Sequence, residues 1–139
     1  MADIYSLTLQ HEEILALLAE LRSHESYGDI IDNAKGLSLT VGLLARKVYF
    51  HILAEERVVY PVLLAHKDES VRETGRSFSA EMDEIACKFR RYRGTYSNAG
   101  TIFARPDTFR HNTAIVAKTL IKRFEDERTV LYRLLGSSW

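Results

Sequence analysis

The stretch FHILAEERVVYPVL, residues 50–63, decides how the rest of this sequence is read. Together with the residues upstream of it, apolar side chains recur every three or four positions, at Leu37, Val41, Leu44, Val48, Val58 and Val62. That is the period of an amphipathic helix. His51 and Glu55 fall on the same stripe, one turn apart, so both project to the same side. Burying an ionised carboxylate with no partner costs on the order of several kcal/mol, so this pair must meet compensating groups. An imidazole and a carboxylate one turn apart can also grip a single cation. The spacing predicts a helix over about Asn33 to His66, with Pro61 kinking its last turns.

Working outward, three more segments carry the same period. The first runs from about Ala2 to His24 along Ile4, Leu7, His11, Ile14, Leu18 and Leu21, and ends before a turn-like stretch, Ser26 to Asn33. The third is capped by Asp68 or Ser70 and follows Val71, Gly75, Phe78, Met82, Ile85, Phe89 and Tyr92 to a loop at SNAG, residues 97–100. The fourth starts near Pro106, follows Thr113, Val116, Leu120, Phe124, Glu127, Leu131 and Leu134, and stops at Gly136. Long helices joined by short loops pack antiparallel. The expectation is therefore an all-α, up-down-up-down antiparallel four-helix bundle, one domain over residues 1–139.

Composition narrows the possible roles. With 19 basic and 19 acidic residues the formal net charge is zero, which offers no broad positive field to nucleic acid or an anionic membrane surface. No apolar run approaches the roughly 20 residues of a membrane span. The start, MADIYS, has an acid where a secretion signal would carry positive charge, and Cys87 is the lone cysteine, so a soluble protein in a cytoplasmic, reducing setting is expected. Cys87 itself reads as a small buried group beside the core stripe. His24, His66 and His111 read as surface residues near helix ends, and Lys88, Arg90, Arg91 and Arg93 as a solvated helix terminus. Trp139 follows a Gly-Ser-Ser tail and either docks on a partner or stays loose. No nucleophile motif or phosphate-cradling glycine loop is present, so the chain is not expected to be an enzyme.

The informative residues are the polar ones that interrupt the stripes: His11, His51, Glu55 and Glu127. Counting from the loops at the rise of an α-helix brings them to one level of the bundle, together with Met82 and Arg123. A polar layer inside an apolar core is a candidate site.

Here the chain resembles the hemerythrin-like, or HHE cation-binding, domains. DIYSLTLQHEEILALLAEL, residues 3–21, is similar to their first helix, and FHILAEERVVYPVL matches their second-helix pattern His-x-x-x-Glu-Glu-x-x-aromatic-Pro. The resemblance implies a four-helix bundle built around a carboxylate-bridged di-iron centre. It assigns ligand positions to His11, His51 and Glu55. RFEDERTVLYRLL, residues 123–135, aligns with HILAEERVVYPVL, which gives Glu127 the bridging position and sets Arg123 where the family has histidine. In SAEMDEI, residues 79–85, Met82 replaces another histidine.

A thioether suits soft metals, so Met82 is expected to pack rather than coordinate. A guanidinium keeps its charge, and Arg123 is expected to bridge Glu55 and Glu127 in place of a metal. The resulting expectation is a metal-free or metal-poor regulatory module acting through a protein partner or self-association. The alternative is an iron-binding oxygen or redox sensor, or a storage protein, holding mono- or di-iron through His11, His51, Glu55 and Glu127. Glu81, Glu84 or water would complete that set.

Overall fold

The structure is a computed structural model that describes residues 3–136. Ala2 and Trp139 lie outside the described residues. The Asp3 carboxylate accepts the Ser6 N–H and starts α1 (Ile4–Arg22). Helix α3 (Ala34–Leu64) continues through Pro61. Of the two candidate caps for α4 (Glu69–Tyr96), Asp68 is the one used, its carboxylate accepting the Ser70 N–H. Helix α6 begins with Pro106 at its first turn and runs to Asp126. There the backbone widens into a π-helical turn (Glu127–Leu131) before the last helix, α7 (Tyr132–Gly136).

Two short helices occupy stretches expected to be irregular. Ser26 caps α2 (Tyr27–Asp32), inside the stretch read as turn-like, and Asn98 caps α5 (Ala99–Ala104) across the SNAG segment. Each buries one isoleucine completely, Ile30 and Ile102. Six residues span fewer than two turns, too short for an apolar period to register in sequence.

Helix α1 packs on α3, α3 on α4, α4 on α6 and α6 back on α1, which closes the expected four-helix ring. Gly75 lets α4 approach α3 closely, since a Cβ there would meet Leu63 Cβ at 3.1 Å. An 18-residue window of α3 is long and apolar enough to cross a membrane by length and composition. Here Leu37, Val41, Leu44, Val48, Val59 and Leu63 spend that apolarity on neighbouring helices.

The interior has two apolar clusters. One gathers Ile14, Leu18, Leu44, Val48, Phe89, Leu120 and Phe124; the other Leu7, Val59, Leu63, Val71, Leu131 and Leu135. Residues 11, 51, 55 and 127 fall between them along their helices, with Arg123 one position before Phe124 of the first cluster.

Further details differ from the sequence reading. The buried stripe of α3 leaves Glu55 by steps of four, to Val59 and Leu63, so Val58 and Val62 are only half-buried. Cys87 is exposed rather than buried. It lies two residues from both Ile85 and Phe89, which turns it to the far side of α4.

Candidate metal centre

The layer is built from α1, α3, α6 and the π-turn. His11, on α1, is fully buried with its ring stacked on Phe124 at 4.1 Å between centroids. His51 and Glu55 enter from α3, and Glu127 opens the π-turn. His11 Nε2, His51 Nε2 and Glu127 Oε1 form a triangle with sides of 2.7, 3.0 and 3.1 Å. Glu55 Oε2 lies 3.4 Å from His51 Nε2. One ligand atom from each of the four residues falls within 4.8 Å of all the others. The structure thus brings together all four residues that the sequence singled out.

Arg123 points inward, 1% exposed, beside this group. Its Nε donates to Glu127 Oε2 at 2.7 Å, so the Glu127 carboxylate joins two worlds: one oxygen faces the histidines and the other the guanidinium. The other guanidinium nitrogens donate to Tyr60 Oη at 2.8 Å, the Phe78 carbonyl at 2.9 Å and Glu81 Oε1 at 3.0 Å. The expected Glu55–Arg123–Glu127 bridge does not form. Arg123 joins Glu127 to Glu81, and Glu55 is taken by Tyr132, whose hydroxyl donates to Glu55 Oε2 at 2.7 Å. Four of the guanidinium's five N–H donors are taken by Glu127, Tyr60, the Phe78 carbonyl and Glu81, which holds the group away from Glu55.

Met82 is buried in the apolar cluster and packs, as its chemistry suggests. Glu81 is engaged by Arg123 and Glu84 is exposed, so neither completes the ligand group. Sequence reasoning missed Tyr132 and Gln10. Gln10 Oε1 accepts from His51 Nδ1 at 2.7 Å, which fixes the ring and aims Nε2 into the cluster.

Charge in this layer follows from burial set against close partners. Burial works against the charged form of His51, but hydrogen bonds to Glu127 and Glu55 outweigh it and raise its pKa from 6.5 to about 9. Burial lowers the His11 pKa, and Glu127 recovers only part of that, so His11 stays neutral. Burial and then the Glu127 charge push Glu55 up to about 7. Burial would raise Glu127 as well, yet hydrogen bonds from His11 and His51 and the charges of His51 and Arg123 hold it well below the usual carboxylate range. Burial and the same two carboxylates raise the Tyr132 phenol.

These residues fit one cation. Metal bonds of about 2.0–2.2 Å to imidazole and carboxylate place neighbouring ligands roughly 3 Å apart, near the separations seen here. Two buried atoms, Glu55 Oε1 and His11 Nδ1, have no hydrogen-bond partner. Two imidazoles with carboxylates suit first-row metals, iron among them. They do not fit a second ion, because Arg123 sets a fixed positive charge against Glu127 Oε2, and Met82, buried in the apolar cluster, offers only a thioether.

A helical ring around a buried His/Glu layer defines a bundle protein with a possible metal-binding centre. The chain matches the hemerythrin HHE cation binding domain over residues 2–135 and belongs to that family. No curated protein and no solved structure matches it.

Proposed function

We propose that this chain is a one-metal hemerythrin-like module that binds a single non-haem cation, iron first, and serves sensing or regulation rather than catalysis or oxygen carriage. The observation that carries this reading is the split Glu127 carboxylate. One oxygen joins His11 and His51 in a ligand triangle, while the other is neutralised by Arg123 where a second ion would sit. His11, His51, Glu55 and Glu127 would hold the ion, which supplies Lewis acidity or a one-electron couple when bound. Without it, a proton on His51 supplies positive charge to the same carboxylates. The layer thus has two cationic states, and exchange between them is the basis of a sensor.

Output from such a module would pass through protein contacts or self-association. The outer side of α3 offers exposed Leu39, Tyr49 and Phe50 for this, and the lone Cys87 agrees with a cytoplasmic setting.

A second reading, a wholly metal-free structural network, is favoured by how thoroughly the layer is hydrogen-bonded by its own side chains. Metal analysis after anaerobic loading with ferrous iron separates the two. One tightly held ion per chain, lost in His51→Ala, supports the one-metal reading. No retained ion favours the metal-free network, and two ions per chain overturn both.

A further inference from the structure

Tyr132 has the same relation to Glu127 as Tyr60 has to Glu55: each tyrosine follows its glutamate by five residues. In a regular α-helix, five residues turn the chain about 140° past a full circle, away from the starting side chain. Helix α3 is regular from Glu55 to Tyr60, and the Tyr60 hydroxyl accordingly leaves the ligand group and meets Arg123. Between Glu127 and Tyr132 the backbone makes its π-turn instead, and an i→i+5 repeat returns Tyr132 to the side of Glu127.

The result is a phenol oxygen inside the ligand group. Tyr132 Oη lies 2.7 Å from Glu55 Oε2, 3.1 Å from Glu127 Oε1 and 3.1 Å from His11 Nε2. Those are close to the separations that relate His11, His51 and Glu127 to one another. A group whose only purpose was to orient Glu55 needs one such contact, not three.

We propose that Tyr132 is a fifth protein ligand of this pocket, binding through its phenolate oxygen, and that the pocket therefore selects ferric iron over divalent ions. The inference rests on the one-metal reading above. Charge supports the choice of ion. Glu55 and Glu127 bring two negative charges and Glu81 offsets Arg123, so a trivalent ion leaves the layer positive until a third anionic ligand joins it. Hard anionic oxygen ligands are also those a ferric ion prefers. On loading, the Tyr132 O–H bond breaks as the iron–oxygen bond forms. The proton passes to Glu55 Oε2, which already accepts that hydrogen bond, and then to solvent. The iron remains ferric and no electron moves.

The test loads the metal-free full chain with ferric citrate and follows iron content, the visible spectrum and resonance Raman scattering. The expected result is one ferric ion per chain with a phenolate-to-iron charge-transfer band and enhanced phenolate ring vibrations. Tyr132→Phe should lose the band and the vibrations, with ferric affinity lower by about tenfold or more and zinc affinity unchanged. Zinc binding by that variant confirms a folded pocket. Tyr92→Phe, which alters a buried phenol bonded to Thr113 elsewhere in the core, should keep the band. Ferric iron bound without phenolate vibrations, or a band that survives in Tyr132→Phe, overturns the proposal and leaves the one-metal reading standing. Failure to bind iron in any form overturns both.

Discussion

Residues 51–63 of α3 and residues 123–135 of α6, the π-turn and α7 share one frame: His51 or Arg123, a glutamate four positions on, and a tyrosine five beyond that. The two tyrosines cross over, Tyr60 reaching Arg123 and Tyr132 reaching Glu55. The halves nonetheless behave differently. The α3 half presents an imidazole whose positive charge is a removable proton, while the other presents a guanidinium whose charge is permanent. One substitution in a repeated frame therefore turns a place where a cation can be exchanged into one where it is fixed.

The largest effect should come from breaking the fixed half. Arg123→Ala leaves buried Glu127 Oε2, Tyr60, Glu81 and the Phe78 carbonyl without their donor; denaturant unfolding should show a loss of about 3–5 kcal/mol. A loss below about 1 kcal/mol would mean the guanidinium contributes no more than a surface charge.

The exchangeable half should reveal itself through pH. The folded His51 value of about 9 exceeds the ordinary 6.5, so the metal-free protein holds more protons than its unfolded chain between those limits. This stabilisation is complete below pH 6.5 and is lost as pH rises through 9. Glu55, raised from 4.5 to about 7, acts in the same direction at lower pH. Unfolding free energy should fall by on the order of 2–3 kcal/mol between pH 6.5 and 9, and bound metal should flatten the profile by replacing the proton. A metal-free profile that is flat or rising would equate the two halves.

Gln10→Ala sharpens the comparison without touching a ligand. It frees the His51 ring, so metal affinity by competitive titration should fall about 10–100-fold. Stability should change by less than about 1 kcal/mol. Smallest of all, Glu81→Gln removes a half-exposed partner of Arg123 and should cost about 0.5 kcal/mol in denaturant titration, well short of the Arg123→Ala loss.

How much of this was legible in sequence depended on whether a residue obeyed the α-helical period. His11, His51, Glu55 and Glu127 interrupt apolar stripes, so their burial and common level could be read directly. Arg123 was drawn inward by the match between residues 123–135 and 51–63, although its partner Glu81 was not visible, since only the docking of α4 on α6 brings them together. Tyr132 was missed because an α-helical count turns it away from Glu127, and nothing in ERTVL announces a wider turn. Gln10 sits one residue off the stripe of α1, and its role appears only once α3 is alongside. Cys87 was misplaced despite a simple periodic argument that puts it outside.

Gly75 acts at a distance from all of this. The missing side chain sets how tightly two helices clasp, and Phe78, whose carbonyl steadies the interior arginine, lies less than one turn further along. A methyl group there would serve as a shim, prising the cradle away from its charge. The spacing of a hydrocarbon contact thus acts as the mechanical trim on an electrostatic device, and steric tuning of the helix pair is a route to adjusting the centre without altering any residue that touches it.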